Sequence, residues 1–299
     1  MSNATKGFQH DNRAQIGATH ESLWDVLVQI RKDETYVTSN APKVKVTDQV
    51  HMWPTKDPRT IGDRASVQGA DPTYDNSNTG RTSNYTQVFE VGYELTNSRM
   101  AADAAGKDPK AQERDEAMKD FKNFLEYAVI RGSLVSGNNS TASKMKGLKA
   151  FASTLATSQS GVSLSEKTYN DYMGNAWDNG MEIDTVIVGR VLKSRISGFT
   201  AGSTKNVDAE QFKLYGRVDV YEGDFGIQKI IKHRYVTVSG DTNYDLLAYD
   251  SNYVRTGEYD AVRFEELAKT GAAAREMVYG EYTLQVDNEK AIVLGSKHL

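Results

Sequence analysis

Apolar and polar residues follow two periods along this chain, and the longest regular stretch runs from Asp108 to about Arg131. Met118, Phe121, Leu125 and Ala128 recur there at spacings of three and four, with Phe124 and Val129 widening the stripe. Lys110, Glu113, Arg114, Asp115, Lys119 and Lys122 take the other side, which predicts an amphipathic helix with one buried face. Asp108 suits the capping position and Pro109 the first helical position, where a missing N–H costs nothing; Gly132 and Gly137 supply the stop. About 24 residues at ~1.5 Å rise make a rod of roughly 36 Å, long for a globular helix. Glu126 falls near its buried end and needs a partner there.

Ser22 to Ile30 repeats the helical pattern on a smaller scale, with Leu23, Val26, Leu27 and Ile30 on one face, and follows about 20 polar residues with no periodicity. Ser163 and Glu166 have the spacing of a capping box, and Tyr169, Tyr172, Met173, Ala176 and Trp177 continue a helix toward Gly180. Val191 to Ile196 reads as a further short helix. Strand patterns occupy Lys43–Val46, Thr185–Val188, Ile227–Val236, Leu246–Asp250, Ala261–Phe264 and Ala291–Leu294, leaving Gly295 to Leu299 as a free end. Between Tyr282 and Val286 alternate residues face opposite ways, with Glu281, Thr283 and Gln285 on the polar side.

Residues 50–95 have a different character. His51–Pro54 and Gln87–Tyr93 are strand-like, and the segment between them holds Pro58, Gly62, Gly69, Pro72, Asn76, Asn78 and Gly80. A structureless loop of that length is improbable inside a domain, so the stretch predicts a long β-hairpin that projects from the body and lies on another subunit.

Composition narrows the function. The chain has 299 residues, 38% of them hydrophobic, which is enough to fill a sizeable core. No apolar run reaches 18 residues and no basic leader precedes an apolar segment, so neither a membrane span nor a secretory signal is expected. With no cysteine, thiolate chemistry and disulfides are excluded. The net charge of -4 argues against a protein whose task is gripping nucleic acid.

Candidate chemistry is sparse. His10, His20, His51, His233 and His298 share no metal-ligand spacing, and Trp24 stands where a zincin motif begun at His20-Glu21 would need its second histidine. Lys232-His233-Arg234 reads as an exposed strand segment. The Asp71–Gly80 stretch lacks the alternating carboxylates of a calcium loop, and the Thr185–Ile196 strand-turn-helix carries no phosphate-binding motif. No catalytic, cofactor-binding or metal-ligating residue is assigned. An arm, a projecting hairpin and a long helix describe an assembling subunit better than an enzyme.

From about Glu21 to Leu294 the chain resembles the major capsid proteins of tailed bacteriophages, whose fold is shared with herpesvirus shells and encapsulins. The likeness rests on Asp33-Glu34-Thr35, on His51-Met-Trp53-Pro-Thr-Lys-Asp57 entering the hairpin and on Asn84-Tyr-Thr-Gln-Val-Phe89 leaving it. Leu125-Glu126 with Gly132, Leu267-Ala-Lys-Thr-Gly271 and Glu281-Tyr-Thr-Leu284 complete it.

The resemblance implies an α+β phage major-capsid fold with an N-terminal arm over 1–46 and an extension loop over 47–98. A peripheral domain with the spine helix would span 99–162 and 251–299, and an axial domain 163–250, so that the later strands return to the peripheral domain. It implies self-assembly into hexameric and pentameric capsomers of an icosahedral head enclosing double-stranded DNA, held weakly and non-specifically. Portal, scaffolding and decoration proteins are the further partners, with no cofactor, no membrane, and assembly in the host bacterial cytoplasm into the virion. The residues expected at contacts between copies are Trp24, Trp53, Lys56, Asp57, Arg59, Arg81, Lys119, Lys122 and Glu126. No local motif supports a Lys to Asn isopeptide weld, and a separate scaffolding protein is expected. An encapsulin-like compartment is the alternative; a hydrolase or an adhesion module fits the pattern less well.

Overall fold

The computed structural model describes residues 34–56, 59, 61–72, 74, 76–101, 108–199, 219–237, 244–269 and 271–299. The helix expected over 22–30 lies outside them, together with Trp24 and Asp57. In chain order the described elements begin with α1 (Tyr36–Asn40), β1 (Lys43–Lys45), β2 (Val50–Lys56), β3 (Thr79–Tyr85), β4 (Gln87–Thr96) and α2 (Asn97–Ala101). Then come α3 (Pro109–Arg131), α4 (Leu148–Phe151), β5 (Ala156–Ser158), α5 (Glu166–Asp178), β6 (Thr185–Val188) and α6 (Arg190–Ser197). The chain continues with β7 (Val220–Gly223), β8 (Gly226–Lys232), β9 (Tyr244–Tyr249), β10 (Val254–Glu266), β11 (Ala273–Val286) and β12 (Ile292–His298).

These strands make a four-stranded sheet in the order β1-β10-β11-β4, a six-stranded sheet in the order β5-β12-β9-β6-β8-β7, and the separate ribbon β2-β3. Side chains alternate across a strand, and the six-stranded sheet uses this to divide two cores. Ile187, Leu247, Tyr249 and Ile292 face the core under α3, while Val186, Val188, Ala248 and Val293 face α5 and α6. Both faces are covered, which is why all four residues of β6 are buried.

The spine helix α3 has the expected ends. The Asp108 carboxylate accepts from the Lys110 N–H at 3.2 Å, and Pro109 is the first helical residue. Phe121 packs edge-on against Phe89 and Tyr282, with ring centroids 6.0 Å apart in both pairs. The buried surface, however, is not one stripe. At about 100° per residue, Asn123, Glu126 and Ile130 lie opposite Phe121, Leu125 and Ala128, and all six are buried. Two faces of the C-terminal half are therefore covered, and Phe124, expected in the stripe, lies on the strip left between them and is 47% exposed.

The stop at Gly132 is a close approach, not a left-handed turn. A Cβ there would come within 2.4 Å of the Met145 carbonyl, and one on Gly147 within 2.5 Å of the Gly132 nitrogen. The Gly147 N–H donates to the Gly132 carbonyl at 2.9 Å, so two backbones touch where any side chain would part them.

Several other expectations are corrected. The N-cap of α5 is Ser165, whose hydroxyl accepts from the Thr168 N–H at 3.2 Å, because the apolar Leu164 is buried just ahead of it. Trp177 is exposed, not part of the buried face of α5. Gly295 to His298 is no free end: it extends β12, pairs with β5 and β9, and buries His298 beside the Tyr172 hydroxyl at 3.1 Å. β12 thus joins the sheet of β6, β8 and β9 instead of returning to that of β10 and β11, and β5 goes with it, so the boundaries drawn at 162 and 250 cut through a hydrogen-bonded sheet.

Candidate functional site

Among the described residues buried polar groups converge at few places, and three of them fix how the parts are joined. The first is Glu126, fully buried on α3. The initial N–H groups of a helix have no partner within it, and the short α1 has no side-chain cap of its own. Glu126 supplies the acceptors from 89 residues away: Oε1 takes the Val37 N–H at 2.7 Å and Oε2 the Thr38 N–H at 2.8 Å. His233 Nε2 stands 3.2 Å from the same carboxylate, and its Nδ1 accepts from the Tyr235 N–H at 3.2 Å. With Nδ1 an acceptor, a neutral imidazole carries its proton on Nε2 and donates to Glu126. β8 ends at Lys232, so His233 lies inside instead of on an exposed strand. One turn back on α3, Asn123 Oδ1 accepts from the Glu34 N–H at 3.1 Å.

The second place is the root of the β2-β3 ribbon. Seven residue pairs, Val50 with Tyr85 through Lys56 with Thr79, form its ladder. The Trp53 indole N–H donates to the Val286 carbonyl at 3.0 Å. Asn84 donates to the carbonyls of Leu284 at 2.8 Å and Lys146 at 3.0 Å, and accepts from the Lys146 N–H at 2.7 Å. The Thr86 hydroxyl donates to Glu281, and His51 Nε2 meets Gln285 Oε1 at 2.8 Å. The ribbon's base therefore lies on the face of β11 that alternation marked as polar, and Glu281, Thr283 and Gln285 are buried beneath it. Their polarity serves an internal joint instead of water.

The third is Glu276 on β11, buried against the first turns of α3, where Arg114 Nε reaches it at 2.8 Å and Lys110 and the Tyr93 hydroxyl also contact it. Burial pushes this carboxyl up, but hydrogen bonds from Arg114, Lys110 and Tyr93 outweigh it and hold the pKa at about 2, below the ordinary 4.5. Burial, then the adjacent carboxylate, push the Tyr93 phenol up to about 12.

Of the residues expected at contacts between copies, Trp53 and Glu126 lie inside this chain's own core. Lys56, Arg59 and Arg81 are exposed on the ribbon and the segment beyond it, and Lys122 is exposed on α3 with Lys119 partly buried one turn before. More telling residues were not singled out from the sequence. Every described residue from 59 to 76 is exposed, and among them Ile61 is 99%, Val67 80% and Tyr74 86% accessible. Isolated apolar residues in a turn-rich stretch were the available signal.

Nothing else among the described residues forms a reaction centre. Among the described residues no group of three His, Cys, Asp or Glu could hold a metal, and no helix is long and apolar enough to cross a membrane. The turn between β6 and α6 is closed by packing, since a Cβ on Gly189 would stand 2.8 Å from the Thr237 hydroxyl. A cleft of about 170 Å³ beside Tyr36, Asp184, Lys229 and Ser251 holds a carboxylate already engaged, with Asp184 accepting from the Ser251 N–H at 2.9 Å.

The whole architecture has solved relatives. The capsid of a native GTA particle is similar at a TM-score of 0.71 and 10% identity, covering 98% of this chain and 100% of that one. A chain of Microbacterium phage Oxtober96 is similar at 0.67 and 14%, covering 96% and 97%. The holo-SrpI encapsulin complex from Synechococcus elongatus PCC 7942 is similar at 0.60 and 11%, covering 95% and 92%. None of the curated proteins matches the chain. The model of the SU10 major capsid protein family matches residues 2–297, nearly the full length. The chain belongs to that family: it is a major capsid protein of tailed phages, a self-assembling structural component of the virion and not an enzyme.

Proposed function

We propose that this subunit builds hexameric and pentameric capsomers of an icosahedral head around double-stranded DNA, and that the β2-β3 ribbon with residues 57–78 is the extension loop reaching a neighbouring copy. The observation that carries this reading is the contrast within the ribbon: its base is locked to β11, while Ile61, Val67 and Tyr74 are left exposed. Exposed apolar residues of this kind mark protein contacts. Lys56, Arg59, Arg81, Lys119 and Lys122 supply the polar rim of such contacts, and residues before about 20 reach other copies as an arm.

The domain scheme is kept with its boundaries moved to follow the sheets. Residues 47–86 form the extension loop, 87–154 and 251–287 the peripheral domain around α3, and 155–250 with β12 the axial domain. A mildly acidic chain suits a container in which packaged DNA is held weakly, since affinity for phosphates comes from Lys and Arg. Portal, scaffolding and decoration proteins are the expected partners during assembly in the host cytoplasm.

Negative-stain microscopy of the purified protein, alone and with its neighbouring gene products, tests the reading. Rings, tubes or shells are expected, with extractable DNA in native particles. A monomer that assembles under no salt or scaffold condition would overturn it. Replacing residues 57–78 by a short turn should leave a folded subunit that no longer assembles.

A further inference from the structure

The adjacent strands β9, β6 and β8 set Tyr249, Thr185 and Lys229 side by side, because Thr185 is in register with both of the others. Alternation turns this row to the face of the sheet that Ile187 and Leu247 present to α3. At this end of the sheet the row is bordered by Tyr36 of α1, and between them lies the cleft of about 170 Å³, room for a small molecule instead of a single water. Thr185 and Tyr249 are each only 3% exposed, yet no described group hydrogen-bonds to either hydroxyl. A hydroxyl taken from water without a partner is costly, and here two of them stand in register on the wall of one cleft.

The chemistry of the row selects the ligand. Lys229 is exposed, pairs with no described carboxylate, and its ammonium can only donate. Burial first, then the neighbouring Tyr36, Glu126 and Asp184, push the Tyr249 phenol up, so it keeps a proton to donate. A group that satisfies all three side chains therefore presents oxygen acceptors. Asp184 limits the choice. It borders the cleft with its carboxylate turned to Ser251, Oδ1 accepting from the N–H at 2.9 Å and Oδ2 from the hydroxyl. Its charge offsets that of Lys229, which leaves room for one negative charge spread over two oxygens and disfavours a phosphate dianion.

We propose that the cleft between α1 and the β9-β6-β8 row binds a carboxylate group, received by Lys229, Thr185 and Tyr249. The site lies within one subunit, so its binding does not depend on the assembly reading. Two sources share this chemistry, a free carboxylic acid and an acidic side chain of a neighbouring copy.

The test uses the full-length unassembled subunit and sodium acetate, with sodium chloride holding the ionic strength constant. Saturation transfer from the protein to the acetate methyl group reports binding. Lys229→Met, a change at an exposed position, should fold normally and weaken binding about tenfold, as loss of a charge-assisted hydrogen bond does; Thr185→Val and Tyr249→Phe should each weaken it about fivefold. Lys232→Met removes a cation from the opposite face of β8, where Ile230 meets the core under α5 and α6, and should leave binding unchanged. Without acetate, Tyr249→Phe should unfold at no lower temperature than the native protein, because the hydroxyl it removes has no described partner; a hydroxyl that only held the fold together would lower it. If acetate also slows assembly followed by light scattering, the source is the acidic side chain of a neighbouring copy; if assembly is indifferent to acetate, it is a free acid. Absence of saturation transfer, binding that survives Lys229→Met, or inorganic phosphate bound as tightly as acetate would overturn the proposal.

Discussion

The C-terminal half of α3 and the segment beyond the β2-β3 ribbon invert the usual arrangement of polar and apolar residues in opposite senses. Around α3 a carboxylate is fully buried, together with Asn123 and His233. Beyond the ribbon, Ile61, Val67 and Tyr74 stand almost entirely in water. Each inversion is unfavourable for an isolated chain unless something compensates it. At Glu126 the compensation is internal, since both oxygens receive backbone N–H groups of α1. At Ile61 and Tyr74 no described part of the chain supplies it, and in the proposed assembly a neighbouring copy does. In that reading buried polar groups fix the geometry of one copy, and exposed apolar groups join copies together.

The comparison can be broken most forcefully at Glu126. Glu126→Ala leaves the Val37 and Thr38 N–H groups and the His233 imidazole without their acceptor, and should cost about 4 kcal/mol in urea unfolding; Glu126→Gln should cost about half of that. Trp53→Ala, which removes the indole anchoring the ribbon, should cost about 3 kcal/mol. Glu276→Gln should cost about 2 kcal/mol at neutral pH, because hydrogen bonds to a charged group are lost. Its pH dependence sharpens the point. The folded-state pKa of Glu276 is depressed to about 2, so its contribution is fully present above the ordinary 4.5 and is lost as pH falls toward 2. Stability curves of the native protein and Glu276→Gln should converge over that window, and parallel curves would contradict the assignment. Ile61→Ser with Tyr74→Ser should change subunit stability by less than about 0.5 kcal/mol while abolishing assembly seen by light scattering.

Local signals were legible where one segment decides its own structure. Asp108 and Pro109 place the start of α3, and Thr185–Val188 reads directly as a doubly covered strand. The errors occur where a distant segment covers a surface. The seven-residue spacing of Phe121 and Ala128 gives one buried face of α3, but the burial of Asn123 and Ile130 depends on α1 and His233, which no local pattern announces. Glu281, Thr283 and Gln285 read only as a polar face, with no sign of what covers it, because the ribbon lying on them is some 200 residues away in sequence; Thr283, for example, donates to the Tyr85 carbonyl at 2.8 Å. Likewise Gly295–His298 looked unconstrained until β5 and β9 enclosed it. The resemblance to tailed-phage capsid proteins supplied what periodicity could not, the overall plan of the subunit.

The contact of Gly132 with Gly147 has a consequence for how such proteins diverge. A clash between side chains can be relieved by a second substitution nearby, but a Cβ at either glycine would meet main-chain atoms that every amino acid carries. No compensating replacement exists at the opposing position, so drift is closed at both sites at once. The end of the spine helix should remain fixed in these subunits while the surface around it varies freely.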